Sequence, residues 1–164
     1  MPWIYKGEVF SDVDKYVGFV YIITNLRTDK KYIGKKLFHF AKTKQVKGKK
    51  KRYKVDSDWQ DYFGSNDELN EHVKVLGPDA FRREIIRLCT SKGEMSYFEA
   101  KYQFQYDVLE SDQWYNTWIM CKVHRKHLTF LKGEVKNASS TQKPAPKRPS
   151  KDRVSKAQSK ETQG

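Results

Sequence analysis

The chain has 164 residues, a formal net charge of +13, 37% hydrophobic residues and 14% aromatic residues, a length that suits one compact domain with a tail and leaves no room for two. No stretch approaches the roughly 18 apolar residues that a membrane-spanning helix needs, and Met1-Pro2-Trp3-Ile4-Tyr5-Lys6 lacks the charged-then-apolar pattern of a signal peptide. A soluble, cytoplasmic protein with no membrane partner is therefore expected. Two cysteines, Cys89 and Cys121, cannot form a disulfide framework, whereas 4 Trp, 10 Tyr and 9 Phe argue for a packed core.

In chain order, Gly18-Phe19-Val20-Tyr21-Ile22-Ile23-Thr24 is a β-rich apolar run and Lys31-Tyr32-Ile33-Gly34 a second, shorter one. The turn-like stretch from Asn25 to Asp29 joins them as a β-hairpin. Side chains alternate along a strand, so Tyr21 and Tyr32 share a face only if the loop is even. Pairing Asn25 with Lys30 gives a four-residue loop and pairing Asn25 with Thr28 a two-residue loop; an even loop is predicted. Residues 30 to 54 then carry 12 basic side chains and no acid, and the segment from 35 to 54 is expected to be a basic loop.

Ser65-Asn66-Asp67-Glu68 fits a capping box opening a helix from about Asp67 to Leu76, which Gly77 and Pro78 end. Phe81 to Leu88 suggests a third strand, with a helix as the alternative. Ser91-Lys92-Gly93-Glu94 is a second capping box, before a helix from about Met95 to Leu109 whose stripe of Met95, Phe98, Tyr102 and Tyr106 suits core packing. A last short helix is expected from Ser111 to Trp118. Residues 132 to 164 hold nine basic and three acidic residues and no aromatic residue, so a disordered basic tail is predicted after a folded region of residues 1 to 131. Outside the basic segment and the tail the charge is −5. A mildly acidic core with one basic loop has an oriented field that suits a docking polyanion, the alternative being a solvated lysine loop with no ligand.

Gly18-Phe19-Val20-Tyr21-Ile22-Ile23-Thr24-Asn25 followed by Lys31-Tyr32-Ile33-Gly34-Lys35-Lys36 resembles the GIY-YIG nuclease signature, with that family's spacing from Tyr21 to Tyr32. Tyr62-Phe63-Gly64-Ser65, the Leu76-Gly77 helix end, the segment from Phe81 to Cys89, the helix bearing Glu99, and Tyr115-Asn116 are similar to the phage and mobile-element (Seg-type) branch. The resemblance covers about Gly18 to Asn116, within a motif-bearing core of residues 18 to 118. The first motif is Phe19-Val20-Tyr21 with its glycine one place early, so only its tyrosine carries over. The position of a common family arginine falls at Lys42, whereas Lys35 aligns with a lysine of the repair-nuclease branch. The resemblance implies an α/β (α+β) fold, with a three-stranded antiparallel sheet flanked by helices. It also implies a metal-dependent DNA endonuclease of phage or mobile-element origin, in the host cytoplasm if phage-encoded; a homing enzyme normally adds a second folded module.

Phosphodiester hydrolysis needs an activated water, a cation at the leaving oxygen and stabilisation of a phosphorane-like transition state. By resemblance, Glu99 holds one Mg²⁺ or Mn²⁺, Tyr21 is the general base, Tyr32 orients water or phosphate, and Asn116 hydrogen-bonds behind them. A free tyrosine titrates near 10, so a lysine beside it, Lys35 or Lys36, favours the phenolate. Substrate contacts are expected from Lys36, His39, Lys42, Lys49, Lys50, Lys51 and Arg52. Cys121, His124 and His127 stand at spacings of three without the second pair that a structural zinc site shows. Two rival readings stand beside the nuclease: a catalytically inactive nucleic-acid-binding protein on the same fold, and a protein that binds an acidic partner through the basic loop.

Overall fold

The computed structural model describes residues 1–128, so the expected tail from residue 132 lies outside the described residues. Its centre is the expected hairpin: β3 (Gly18–Asn25) pairs antiparallel with β4 (Lys31–Leu37). The Asn25 amide donates to the Lys30 carbonyl at 2.9 Å, so the loop has four residues, even as predicted. Asn25 Oδ1 accepts from the Arg27 amide at 3.0 Å, an Asx turn that shapes it. β3 is buried on both faces, as its unbroken apolar run requires.

The third predicted strand forms as β7 (Phe81–Cys89), antiparallel to β3 on its other side. Its register slips between Val20 and Tyr21, whose partners are Arg87 and Ile85, so a bulge lies beside Tyr21. The three-stranded expectation is too small. β1 (Trp3–Tyr5) runs parallel to β7, and β2 (Glu8–Val9) folds back on β1, giving a five-stranded mixed sheet of order β2-β1-β7-β3-β4. Strands of two and three residues are too short to show alternation, and the pairing of Trp3 with Arg83 has no local signature.

The basic loop is also corrected. Residues from His39 to Asp56 form a second, two-stranded sheet of β5 (His39–Val46) and β6 (Lys49–Asp56), closed by Lys47 and Gly48 at φ of 49° and 76°. Two central residues at positive φ are the hairpin turn that matches strand twist. Nearly every side chain of this arm is exposed, so no buried face marks it in the sequence. Phe38 and Trp59 sit at its root, buried edge-to-face at 5.2 Å, and the Ser57 amide donates to the Phe38 carbonyl at 2.9 Å.

The first helix, α1 (Asp67–Leu76), has the predicted bounds, but its cap is Asn66, whose Oδ1 accepts from the Leu69 amide at 2.9 Å. Ser65 is freed for another contact. The second, α2 (Lys92–Gln105), is capped as expected by Ser91, which accepts from the Glu94 amide at 3.1 Å. It starts and stops earlier than predicted, ending before Asp107, which turns at φ of 49°. No helix forms from Ser111 to Trp118, because the backbone there pairs with the open edge of β4: the Lys31 amide donates to Gln113 and the Tyr115 amide to Lys31, at 2.8 and 2.7 Å. Helix α1 closes one face of the sheet over Trp3, Phe19, Tyr21, Phe81 and Leu69. Helix α2 closes the other over Val20, Ile33, Cys89, Met95 and Phe98. Among the described residues no helix is long and apolar enough to cross a membrane.

Candidate active site

Tyr21 lies in β3, one strand in from the edge, and is 1% exposed. Its hydroxyl reaches the edge because the residue opposite, Gly34, has no side chain. A Cβ on Gly34 would lie 2.4 Å from the Tyr21 hydroxyl oxygen and 2.9 Å from Cε1 of Tyr32, so the close approach of the ring over β4 requires glycine. Register places Tyr32 on the same face, its ring 6.2 Å from that of Tyr21, and its hydroxyl pairs with the Ser65 hydroxyl at 3.2 Å.

Alternation turns Lys35 to the opposite face, where α2 packs. There Lys35 Nζ donates to Glu99 Oε2 at 2.5 Å, with the Glu99 side chain 15% exposed. Asn116 closes the edge: its Oδ1 accepts from the Ile33 amide at 2.9 Å and its Nδ2 donates to the Ile33 carbonyl at 2.8 Å, as a neighbouring strand would. Tyr115 pins this segment, its hydroxyl accepting from Asn25 Nδ2 at 3.0 Å and pairing with His72 Nδ1 at 2.9 Å. Tyr21, Tyr32, Lys35, Glu99 and Asn116 thereby line one cavity of about 380 Å³ at the edge of β4.

Burial pushes the Tyr21 hydroxyl well above its ordinary 10, and the neighbouring Tyr32, Tyr62 and Glu99 push the same way. Tyr32 is raised by burial against a lowering Ser65 bond. Burial likewise raises the Glu99 carboxyl, with Lys35 opposing. Neither expected lysine is aimed at Tyr21. Lys35 is held by Glu99, and Lys36 donates to Asp58 at 2.7 Å with its ammonium 3.5 Å from the ring centre of Tyr62. Tyr21 at rest is a neutral phenol.

The remaining predicted contacts lie outside the cavity. His39 Nε2 meets Asp56 Oδ1 at 3.1 Å at the base of the arm, and Lys42, Lys49, Lys50, Lys51 and Arg52 are exposed along it. Among the described residues no three His, Cys, Asp or Glu side chains converge. His124 instead caps a short turn, its Nδ1 accepting from the Lys126 amide at 3.1 Å. For a divalent cation the cavity offers Glu99, with Asp67 also on its wall. One or two carboxylates completed by water and phosphate oxygens is the donor set that Mg²⁺ accepts, so the residues present fit that ion.

Sequence reasoning missed Asp67, Gln103 and Trp118 in the cavity wall. Gln103 was findable, since it lies one turn beyond Glu99 on the same helix face. Its Nε2 donates to the Ile33 carbonyl at 3.2 Å. Trp118, 64% exposed at the rim, carries no pattern that separates it from a helix residue.

Residues 3–119 match the family described as "Putative endonuclease segE, GIY-YIG domain". The chain belongs to this family. The match spans all seven strands and both helices of the described fold. In this GIY-YIG nuclease domain the two halves of the signature are β3 and β4, paired so that the glycine of the second half opposes the tyrosine of the first. No curated protein and no solved structure shows a significant match to the chain. Membership gives the coarse function, an endonuclease domain whose substrate is DNA.

Proposed function

We propose that the chain is a metal-dependent DNA endonuclease that hydrolyses phosphodiester bonds in the cavity at the edge of β4, with Glu99 holding one Mg²⁺ or Mn²⁺. The observation carrying this is the convergence of Tyr21, Tyr32, Lys35, Glu99 and Asn116 on one cavity, from both faces of the sheet and from the segment beyond α2. When bound, the ion supplies charge for the scissile phosphate and the leaving oxygen. Lys35 occupies one oxygen of Glu99, Oε2, of the two that a carboxylate has.

Tyr21 exchanges a proton with water at the cavity wall. Because burial keeps its phenol protonated at rest, it acts as a base only once positive charge gathers beside it, and Lys35, on release from Glu99, is the chain's own source of that charge. Tyr32, fixed by Ser65, orients the water or a phosphate oxygen. Asn116 and Gln103 hydrogen-bond the Ile33 backbone, and their role is to hold β4 in place. On an α-helix, Glu99 is rigidly presented.

The test is nicking or linearisation of supercoiled plasmid with Mg²⁺, with EDTA, and by Tyr21→Phe and Glu99→Ala. Cleavage by the unaltered chain that both substitutions and EDTA abolish supports the proposal, provided DNA binding persists. Cleavage surviving Glu99→Ala overturns it. The pairing of Lys35 with Glu99 and of Lys36 with Asp58, which leaves neither lysine aimed at Tyr21, favours the second reading, a DNA-binding protein without catalysis, and the absence of cleavage under all metal conditions would establish that reading.

A further inference from the structure

The arm of β5 and β6 buries no core of its own, and an isolated two-stranded hairpin is marginal in water. It nevertheless sets like charges against each other: Lys44 stands opposite Lys51, with Val46 opposite Lys49 beyond them. Facing lysines destabilise a hairpin, and no acid lies between residues 30 and 54 to relieve them. A partner rich in negative charge would offset that repulsion.

The two faces of the arm differ. Register and alternation put Thr43, Gln45, Lys50 and Arg52 on one face, with Thr43 opposite Arg52 and Gln45 opposite Lys50. Lys42, Lys44, Lys49 and Lys51 share the other face with Tyr53. The first face thus holds the planar groups that can make paired hydrogen bonds, the Gln45 amide and the Arg52 guanidinium, beside Lys50 and Lys54 and with Asp56 at its base, whereas the charged groups of the second are the four ammonium groups of Lys42, Lys44, Lys49 and Lys51, suited to phosphates. Eight-residue strands reach about 27 Å at roughly 3.4 Å per residue. A two-stranded ribbon fits the major groove of B-form DNA, about 12 Å wide, and is too broad for the minor groove at about 6 Å. The A-form RNA major groove is closed to it.

Resting on the reading of the chain as a DNA-acting protein, we infer that the β5–β6 arm lies in the major groove of duplex DNA and reads base edges through Gln45 and Arg52, while its lysine face holds the flanking phosphates. Arg pairs with guanine O6 and N7, and Gln with adenine N6 and N7. The root suits this use. Phe38 and Trp59 are buried and packed together, and β4 ends at Leu37, two residues after Lys35. Seating the arm on a chosen sequence therefore sets where the backbone enters the cavity.

The test is selection of binding sites from a random duplex library by the full chain in EDTA, where no metal-dependent cleavage intervenes. The unaltered chain is expected to enrich a defined sequence. Arg52→Ala should lower the preference at a guanine position by roughly five-fold or more, with affinity for random DNA falling only by the loss of one charge. Gln45→Ala should do the same at an adenine. Methylation of guanine N7 within the selected site should weaken binding. Replacing Lys42, Lys44, Lys49 and Lys51 by Gln should leave the selected sequence intact and lower the salt slope by about three to four units. Unchanged selection by both Arg52→Ala and Gln45→Ala, or indifference to N7 methylation, would overturn the inference. Selection without Mg²⁺-dependent cleavage removes the nuclease proposal and keeps the arm's role, whereas cleavage with no sequence preference removes the arm's role and keeps the nuclease.

Discussion

Gly34→Ala tests the geometry of the cavity with a single methyl group. The added carbon would lie 2.4 Å from the Tyr21 hydroxyl oxygen, 2.7 Å from Tyr21 Cζ and 2.9 Å from Tyr32 Cε1. Ordinary contact begins near 3.4 Å, so the Tyr21 ring must retreat by about 1 Å. It retreats into a packed wall, because Trp3 and Tyr62 already touch it at ring separations of 5.1 and 6.2 Å. Overpacking of this kind costs about 1–3 kcal/mol, which lowers Tm by about 3–9 °C in a chain of this size. A displacement of about 1 Å in a reacting group costs roughly 100-fold in rate. Calorimetry and single-turnover plasmid cleavage measure the two effects, with Gly7→Ala as the control. Gly7 has positive φ, +88°, and nothing within 4 Å, so Gly7→Ala reports backbone strain without crowding, whereas Gly34 lies in regular strand and Gly34→Ala reports crowding without backbone strain. Tyr21→Phe in the Gly34→Ala background should recover part of the lost stability and none of the activity, a non-additive cycle. Wild-type Tm and rate in Gly34→Ala, or strict additivity with Tyr21→Phe, would refute the argument.

Burial raises the folded-state pKa of Glu99, so its contribution to stability is present below the ordinary carboxylate value and is lost as pH rises through the raised value. Glu99→Gln should therefore improve relative to wild type between pH 4 and pH 8 in thermal melts while losing cleavage; a difference that is flat or reversed across that range contradicts this. The Cys89 thiol is buried and pushed up to about 12, whereas Cys121 is exposed. One thiol should thus react rapidly with a chromogenic disulfide at pH 8 and the second only in denaturant, and two fast thiols in the native chain would disprove the burial. Asn116→Ala removes both bonds to the Ile33 backbone and should cost about 2 kcal/mol, with faster amide exchange at Ile33; unchanged exchange there would show that Asn116 does not close the edge.

Features legible in the sequence were those with a local cause. The hairpin register follows from a turn and two apolar runs, α1 from its punctuation by Gly77 and Pro78, and the cap of α2 from Ser91. Where a segment's structure depends on a distant partner, the sequence is silent. Trp3-Ile4-Tyr5 becomes a strand only because β7 offers it an edge, and Ser111 to Trp118 stays out of a helix because Lys31 pairs with its backbone. The basic segment failed for another reason: a strand exposed on both faces has no apolar alternation to read. Within the site the tyrosines and Glu99 carried a spacing signal, whereas the pairing of Lys35 with Glu99 rather than with Tyr21 depends on which face β4 turns toward α2.

The spacing of the two motif halves can now be given a physical cause. A catalytic tyrosine on an edge strand would be simple to expose but poorly held; on β3, flanked by β4 and β7, Tyr21 is held by packing on every side. Its hydroxyl must then cross β4 to reach the cavity, and it can do so only where β4 has no side chain. The four-residue loop sets the register that places Gly34 opposite Tyr21. A loop one residue shorter or longer would put Ile33 or Lys35 there and turn Tyr32 to the far face. That same register directs Lys35 toward α2 and Glu99. One loop length therefore decides three things together: the passage for the Tyr21 hydroxyl, the pairing of the two tyrosines, and the delivery of Lys35 to the carboxylate.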